Sequence, residues 1–410
     1  MVRLSEVAYI EMGQSPPSSV VFESSESGVA FLQGNAEFTD RYPRARQHCT
    51  KPPKIAEAAD ALISVRAPVG AINKADQRYC IGRGLAAVRF TGVDPAFGFH
   101  ALSFYSRSLR RVAQGTTFEA IGGADLREMD FPLCSRPEQR GIAAILDTLD
   151  EVIRKTEDLI AKLKQIKQGL LHDLLTRGVE ESGELRPSPD DAPQLYKDSP
   201  LGKVPSEWNV ESIRSVSRGP GCYGSGAAAL DYDPSLPRYV RITDITEDGR
   251  LSGATEASIR TIDADPYMLS EGDLLFARSG ATVGKTHLYR PSDGPCAHAG
   301  YVIKYAIDTA RAIPAYVFSW TQSPAFWRWI GQTLRQGAQP NINEKEYGGH
   351  LLALPPLAEQ GRIVALLEAV TRRLAAELHE AEKLRVVKSG LLDDLLTGRV
   401  RVSVSAKTGA

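Results

Sequence analysis

One glycine-rich run in the sequence has the residue types of a phosphate-binding loop. Gly280-Ala281-Thr282-Val283-Gly284-Lys285-Thr286 combines two glycines with a lysine and a hydroxyl side chain. A Walker-type loop needs four residues between its glycines to place its amides around the phosphates, and here there are three. We therefore expect no nucleotide hydrolysis at this run. It indicates either a cationic contact to DNA phosphates or a tight hairpin.

Two other patterns suggest chemistry without completing it. Ser15-Pro16-Pro17-Ser18 is similar to an element of amino-methyltransferases that places an aromatic ring next to an extruded base, but Ser18 has no ring. Cys296 and His298 could supply two metal ligands, but no second pair accompanies them. The five cysteines form no Cys-x-x-Cys pair, which is typical of reduced thiols in the cytoplasm. We predict no catalytic site, no cofactor and no metal.

Composition and charge leave the class of protein open. The formal net charge is −1 and 42% of the 410 residues are hydrophobic, which is ordinary for a folded chain of two or three domains. The sequence has no apolar stretch long enough to cross a membrane. One basic run stands out, and it is either a solvated loop or a contact to phosphates: Arg41, Arg44, Arg46, His48, Lys51 and Lys54. Charge therefore permits nucleic-acid binding without demonstrating it.

An internal repeat organises the chain. Glu138-Gln139 recurs as Glu359-Gln360, and the same offset aligns residues 138–176 with 359–397 without a gap. Of the 39 aligned positions, 15 are identical. Apolar residues recur at helical spacing in each copy, so we predict two long helices. The partner of each is expected to be its own duplicate, since neither can bury its apolar stripe alone; pairing between two chains is the alternative.

Two details of the repeat predict how the helices pack. In the first copy, Ile142, Leu149, Leu163 and Leu170 lie at heptad a and Ile145, Val152, Leu159 and Ile166 lie at heptad d, and we expect this apolar stripe to face the partner helix. Gly169 and Gly390 are equivalent, and a glycine inside a helix costs about 1 kcal/mol relative to alanine. Their recurrence predicts a close contact that excludes a side chain.

The segments before the two helices consist of short strand-like runs separated by turns. We predict α+β domains over residues 1–136 and 207–356, each with a curved sheet or partial barrel, helical regions over 137–178 and 357–400, an exposed acidic linker over 179–206 and a tail over 401–410. Asp60–Arg66 is similar to Asp273–Arg278, since each begins with aspartate and ends in arginine before a turn. The glycine-rich residues 219–226 are expected to form a mobile loop.

These residues together resemble the specificity (S) subunits of type I restriction–modification enzymes over essentially the whole chain. Three features carry the resemblance: the Glu-Gln helix start followed by Lys-x-Gly-Leu-Leu-x-Asp-Leu-Leu-Thr, present twice, the segment Tyr196 to Trp208, and the loop Arg278 to Lys285. The resemblance implies two target-recognition domains and an antiparallel coiled coil of the two helices. It implies a non-catalytic subunit that binds bipartite double-stranded DNA. A coiled-coil scaffold without DNA specificity is the alternative.

The partners that the resemblance implies are DNA, two methyltransferase (M) subunits and, through the complex, restriction (R) subunits. Polar loop residues are candidates for base recognition, because arginine pairs with guanine and asparagine or glutamine with adenine. In the first module these are Gln33, Asn35, Arg41, Arg44, Arg46 and Arg66, and in the second Arg241, Thr243, Arg278, Ser279, Thr282, Lys285, Gln339 and Asn341. Candidates for docking the M subunits are Glu138, Gln139, Lys155, Lys162, Glu359, Gln360, Arg372 and Lys383. A solvated surface is the alternative for each.

Overall fold

The computed structural model describes residues 1–23, 28–40, 42–113, 120–334 and 339–402, with only the backbone described at 107, 108 and 110–113. The chain divides into two compact units. Unit 1 comprises Met1–Asp158 and Leu378–Ala410, and unit 2 comprises Leu159–Glu377. The division passes through the two long helices, whereas the sequence-based domains keep each helix whole.

Unit 1 begins with a strand-rich segment and ends on the first long helix. Its strands are β1 (Val2–Arg3), β2 (Ala8–Met12), β3 (Val21–Phe22), β4 (Val29–Leu32), β5 (Gln47–Cys49), β6 (Ile55–Ala56), β7 (Ala61–Ser64), β8 (Ile72–Lys74), β9 (Tyr79–Ile81), β10 (Leu85–Phe90) and β11 (Asp130–Phe131). Its helices are α1 (Leu4–Val7), α2 (Pro95–Ala113), α3 (Gly123–Arg127) and the first part of α4 (Arg136–Thr176).

Unit 2 follows the same plan and ends on the second long helix. Its strands are β12 (Tyr196–Ser199), β13 (Gly202–Pro205), β14 (Asn209–Ser212), β15 (Cys222–Tyr223), β16 (Leu230–Asp231), β17 (Arg238–Val240), β18 (Ala257–Ser258), β19 (Asp273–Ala277), β20 (Thr286–Leu288), β21 (Cys296–His298), β22 (Val302–Ala306) and β23 (Leu351–Leu354). Its helices are α5 (Thr261–Ala264), α6 (Pro314–Thr321), α7 (Pro324–Thr333), α8 (Glu344–Gly349) and the first part of α9 (Leu357–Leu396). The rest of α4 also belongs to unit 2, and the rest of α9 belongs to unit 1. In the described part of the chain, no helix is long and apolar enough to cross a membrane.

Each unit contains the same pair of sheets. An antiparallel four-stranded sheet has the order β2-β10-β7-β8 in unit 1 and β15-β22-β19-β20 in unit 2. The second sheet has the order β3-β5-β4-β9-β6 in unit 1 and β16-β18-β17-β21 in unit 2. Each second sheet contains one parallel pair, β4 with β9 and β17 with β21. These strand orders are open, so the α+β prediction is confirmed with open sheets and no closed barrel.

Helices α4 and α9 pack against each other in an antiparallel manner. In unit 1 the first half of α4 contacts the second half of α9, where Arg385 pairs with Glu157 at 2.5 Å and Lys388 pairs with Asp150. In unit 2 the end of α4 and the start of α9 share one hydrophobic core, to which Leu171, Leu174, Ile363 and Leu367 belong. The start of each helix thus meets the end of the other, which confirms the predicted helix pair.

The buried face of α4 agrees with the predicted heptad at the a position Ile142 and differs from it at three d positions. Ile142 and Leu146 are 2% and 0% exposed and belong to the core of unit 1. The d positions Ile145, Val152 and Ile166 are instead 37%, 40% and 43% exposed. The prediction that these positions face the partner helix was wrong. The reason is that α4 also packs against the sheet domain, which requires a different and wider apolar face than a two-helix seam.

The two equivalent glycines also lie on the surface. A Cβ atom built on Gly169 or on Gly390 would meet no atom within 4 Å. Both residues are exposed. The prediction of a close contact within the chain at these positions was therefore wrong, and the described residues give neither glycine a packing role.

Candidate nucleic-acid interface

The repeated glutamines at the starts of α4 and α9 each bind two backbone groups. In both, Oε1 accepts a hydrogen bond from the module before the helix and Nε2 donates to a carbonyl five residues earlier. The bonds are Asp94 N to Gln139 (2.7 Å), Gln139 to Cys134 O (2.8 Å), Ile313 N to Gln360 (2.7 Å) and Gln360 to Pro355 O (2.8 Å). The glutamine therefore ties each long helix to its own module.

The repeated glutamates are also bound inside the chain. Glu359 accepts hydrogen bonds from Val179 N (3.0 Å), Arg186 Nη1 (3.1 Å) and Trp208 Nε1 (3.0 Å). Trp208 is fully buried, so the Tyr196–Trp208 segment is folded onto unit 2. The acidic side chains of residues 179–206 point to solvent as expected, while parts of this segment belong to the core.

The eight docking candidates fall into two groups. Four have side chains that bind this chain itself and are at most 6% exposed: Glu138, Gln139, Glu359 and Gln360. Four are exposed and accessible to a partner: Lys155, Lys162, Arg372 and Lys383. The docking role remains a prediction, and the exposed group is the one whose side chains could take part directly.

The glycine-rich loop forms the hairpin between β19 and β20. Gly280 and Gly284 have φ angles of +69° and +90°, which favour glycine. Gly284 N lies 3.0 Å from the Tyr347 hydroxyl, which holds the turn against the core. A strand follows this loop, and a phosphate-binding loop requires a helix there. The run therefore forms a tight hairpin. A contact of this loop with DNA phosphates remains a prediction, and the Lys285 side chain has no ion-pair partner among the described residues.

Arg278, at the end of β19, lies at the centre of a polar cluster. Its guanidinium carbon is 4.7 Å from the centroid of the Tyr223 ring. Its Nε donates to Asn341 Oδ1 at 3.2 Å, and Asn341 forms a backbone bridge with Ser279. Tyr301, whose carbonyl accepts from Arg278 N, is 63% exposed. The structure thus brings together three of the predicted residues, namely Arg278, Ser279 and Asn341.

The glycine-rich segment before Tyr223 is held in place by its neighbours. Cys222 and Tyr223 form strand β15, which pairs with β22. The backbone N of Gly221 donates to the Glu344 carboxylate at 3.0 Å. A Cβ on Gly224 would lie 2.1 Å from the His298 carbonyl oxygen. The glycines permit close backbone approach, so the expectation of a mobile loop was wrong.

Backbone hydrogen bonds give the correct correspondence between the two modules. Two backbone hydrogen bonds recur at the same place in each unit. In unit 1, Val65 N donates to Gly84 O (2.9 Å) and Ile121 N donates to Val65 O (3.0 Å). In unit 2, Arg278 N donates to Tyr301 O (3.1 Å) and Ile342 N donates to Arg278 O (2.9 Å). Arg278 is therefore equivalent to Val65, which is 3% exposed. Arg66 corresponds to Ser279, so the sequence-based match of Arg66 with Arg278 was wrong by one residue.

The same correspondence shows that the cluster is specific to unit 2. Strand β15 pairs with β22 as β2 pairs with β10, which places Tyr223 where unit 1 has Met12. Ser279 bridges to Asn341 as Arg66 bridges to Ala120, so Asn341 corresponds to Ala120. Arginine, tyrosine and asparagine in unit 2 thus replace valine, methionine and alanine in unit 1, on the same backbone scaffold.

The candidates of unit 1 lie on the loops that follow β4 and β7. Gln33 follows β4 directly, is exposed and donates to the Ser15 hydroxyl at 3.1 Å. Asn35 begins a short 3₁₀ turn and is half-buried. Three arginines are exposed, and no ion pair is found for their side chains within the described ranges: Arg44, Arg46 and Arg66. Arg41 lies outside the described residues, as do residues 114–119.

The remaining candidates of unit 2 differ in availability. Arg241 is bound to the buried Asp244 through Nε (3.1 Å) and Nη2 (2.9 Å), so its side chain already has a structural partner. Thr282 Oγ1 donates to Ser279 O at 3.2 Å. Thr243 and Gln339 are exposed, and residues 335–338, which precede Gln339, are outside the described residues.

Comparison with known proteins shows which proteins this chain is similar to. Residues 1–165 match the type I restriction modification DNA specificity domain. The putative type I restriction enzyme MjaX specificity subunit of Methanocaldococcus jannaschii is 41% identical over 178 residues, which are 42% of this chain and 42% of that protein. The chain is thus similar to type I restriction specificity subunits. The MjaVIII specificity subunit of the same organism is 21% identical over 328 residues, 76% of this chain and 71% of that subunit. The match thus spans less than half the length of the first of these specificity subunits.

Two solved chains from type I restriction–modification systems show the same fold. The S subunit of a type I restriction–modification system from M. genitalium superimposes with a TM-score of 0.63 at 14% identity, covering 98% of this chain and 96% of that one. A chain from a structure of complex assembly and conformational transition of the type I R-M system gives a TM-score of 0.54 at 16% identity, covering 97% of each. Both likenesses concern the fold alone.

The aromatic members of the cluster were not among the predicted site residues. Tyr223 and Tyr301 are 42% and 63% exposed, which is unusual for tyrosines on or beside a sheet strand. A signal was present in the sequence, since both stand next to glycines, at Gly221–Gly224 and at Gly300. Without the sheet register, nothing in the sequence connected either tyrosine with Arg278.

Proposed function

We propose that this chain is the DNA sequence-specificity subunit of a type I restriction–modification system. In this proposal each unit recognises one half of a bipartite double-stranded DNA target. The chain itself transfers no methyl group and cuts no DNA, because those reactions belong to M and R subunits. Localisation in the cytoplasm, expected from the cysteine pattern, remains part of the proposal.

One observation carries the DNA-binding part of the proposal. The two units share sheet order and backbone hydrogen bonds, yet the side chains at one edge differ in chemistry. Recognition of two different half-sites requires this combination, because phosphate contacts and scaffold can be common while base contacts must differ. A plain scaffold protein has no reason to carry the half-buried cation Arg278 where the equivalent residue of the other unit is the buried, apolar Val65.

Docking of the M subunits is supported by surface features that occur once in each unit. Unit 1 has the exposed apolar residue Val387 beside Gly390, and unit 2 has the exposed Ile166 beside Gly169. These pairs are equivalent by the repeat. Apolar residues and bare helix backbone on a surface are typical of a helix contact site. Since the surface is present twice, two identical M subunits are the expected occupants.

The near-neutral charge of the chain agrees with such an assembly. Most sequence-independent DNA affinity comes from neutralising phosphates with lysine and arginine. A chain with a formal net charge of −1 supplies little of this sequence-independent affinity by itself. In the proposed complex the M subunits provide much of the phosphate contact, while this chain provides base recognition. We therefore expect specific DNA binding only in the presence of M subunits.

A binding experiment on the assembled complex tests the DNA-binding proposal. The chain is co-purified with an M subunit from the same organism, and the complex selects from a random DNA library. Two short, constant half-sites separated by a variable spacer support the proposal. Stable assembly without any sequence preference contradicts it and favours the coiled-coil scaffold instead. Sequencing of modified adenines in the host genome provides the same test in cells.

The docking surface is tested by adding bulk at the open glycines. Gly169→Arg and Gly390→Arg place a long side chain on an exposed helix face, so the isolated chain keeps its fold. Native mass spectrometry of the co-purified complex should then show one M subunit for each single variant and none for the double variant. Lys203→Glu, an exposed change on the β12–β13 hairpin, is the matched control and should retain two. Full assembly of the double variant would exclude this surface.

A further inference from the structure

The cluster around Arg278 has the geometry of a guanine-recognition element. We propose that Arg278 contacts the edge of a guanine in the half-site of unit 2, and that Tyr223 and Asn341 are positioning residues that hold its guanidinium plane. The inference rests on the proposed DNA-binding function and deepens it by naming the base and the residues. Unit 1 has no such cluster at the equivalent positions.

Two side chains restrain Arg278 from different directions. The Tyr223 ring lies 4.7 Å from the guanidinium carbon, a distance at which the cation is attracted to a ring. Arg278 Nε donates a hydrogen bond to Asn341 Oδ1 at 3.2 Å. No hydrogen bond to Nη1 or Nη2 of Arg278 is found among the described residues, so the fork of terminal N–H groups remains free. A free, oriented fork matches the two acceptors O6 and N7 of guanine.

The restraining residues are themselves fixed by the fold. The Tyr223 hydroxyl accepts from Glu344 N at 3.2 Å, while its backbone pairs with Ile303 in the sheet. Asn341 lies in a short backbone ladder in which Gly280 N donates to Pro340 O (2.9 Å). The positions of both side chains are thus set by the sheet and by α8. A phosphate contact needs no such orientation, since it depends mainly on charge.

Substitutions at Arg278 separate base recognition from phosphate contact. Arg278→Val installs the residue that unit 1 carries on the same backbone, so the fold should be retained, which thermal denaturation verifies. In library selection with the assembled complex, we expect one guanine position in one half-site to become degenerate. Affinity for the original target should fall about 10- to 100-fold. Arg278→Lys keeps the charge without the planar fork and should lose the same preference.

The positioning role predicts a graded effect at Tyr223 and Asn341. Tyr223→Phe keeps the ring and loses only the hydrogen bond from Glu344 N, so it should weaken the guanine preference less than Tyr223→Leu does. Tyr223→Leu and Asn341→Ala free the guanidinium, so they should weaken that one preference several-fold and leave the other half-site intact. Arg260→Ala removes an exposed arginine of unit 2 that pairs with Asp263, and it is the control without effect on base preference.

The outcomes distinguish this inference from the proposed function. Arg278→Val could instead lower the affinity equally for all sequences and reduce the slope of log affinity against log salt concentration by about the value of one phosphate contact. In that case Arg278 contacts the DNA backbone and the inference is wrong. If Arg278→Val leaves every selected position unchanged, the inference is also wrong, while specific binding by the complex still supports the proposed function. If the unmodified complex selects no sequence, the proposed function itself fails.

Discussion

Arg401, just beyond the end of α9, forms a two-bond ion pair with Glu138 at the start of α4. The Nε–Oε1 and Nη2–Oε2 distances are 2.7 and 2.8 Å. Arg186, in the segment after α4, forms an ion pair with Glu359 at the start of α9 through a single bond from Nη1 to Oε1 at 3.1 Å. In each unit the segment that leaves one long helix thus returns to the start of the other. The repeated glutamate at the start of each long helix therefore binds the segment that follows the other long helix.

Loss of the two glutamates should have unequal effects on stability. Glu359 is 3% exposed and accepts three hydrogen bonds, so Glu359→Ala leaves buried donors unpaired and should destabilise the protein by about 3 kcal/mol. Glu138→Ala should cost clearly less, because its partner Arg401 has a side chain 75% exposed and can be solvated. Chemical denaturation of both variants measures the difference, and equal losses would contradict this account.

The surface glycines predict stabilising substitutions. Gly169→Ala and Gly390→Ala each replace a poor helix former where a Cβ meets nothing, so each should stabilise the isolated chain by about 1 kcal/mol. Gly178→Ala should do the opposite, since φ is +72° there and a Cβ would lie 2.1 Å from Glu359 Oε1. Thermal unfolding of the three variants should give two increases and one decrease in Tm. A decrease for Gly169→Ala would show that the helix contacts something within the chain.

The buried His350 predicts a loss of stability in acid. Burial lowers its pKa from 6.5 to about 4, and its Nε2 accepts from Trp320 Nε1 at 3.1 Å. Since the unfolded chain binds this proton more readily, stability is complete above about pH 6.5 and falls as pH decreases toward 4. Between pH 7.5 and 5.5 this amounts to about 1 kcal/mol.

The control for this pH effect is His350→Gln, which retains an acceptor for Trp320 and cannot be protonated. Denaturant titrations at both pH values should show that the variant loses about 1 kcal/mol less than the unmodified chain on acidification. The pKa of His298 is also lowered by burial, but it acts equally in both proteins and cancels. An identical pH response of the two proteins would assign the acid sensitivity to other groups.

Arg241 should prove structural, in contrast to Arg278. Asp244 is fully buried and receives both Nε and Nη2 of Arg241, so Arg241→Ala leaves a buried carboxylate without its cation. We expect a loss of about 2 kcal/mol in the free energy of unfolding. In the DNA selection described above, the folded variant should keep the base preference of the complex. A changed preference at one base position, with unchanged stability, would show that Arg241 takes part in base recognition.

Several features of this protein were predictable because they depend on local spacing. The repeat and the two long helices follow from 3.6-residue periodicity and from the identity of residues around Gln139 and Gln360. The hairpin at Gly280 to Lys285 was one of two local alternatives. In contrast, the heptad assignment failed at Ile145 and Val152. Which face of a long helix is buried depends on every element that packs against it, and spacing along one helix does not contain that information.

The sequence by itself determined the duplicated layout, the α+β class and the family resemblance, because these depend on local residue patterns and on the internal repeat. Only the tertiary structure decided which residues form the candidate site. Tyr223, Arg278 and Asn341 are far apart in sequence and meet because β15 and β19 flank β22 and residues 339–342 pair beside Ser279. The correspondence of Arg278 with Val65 likewise required the hydrogen-bond register, since strand pairing fixes spatial equivalence where side-chain identity is lost.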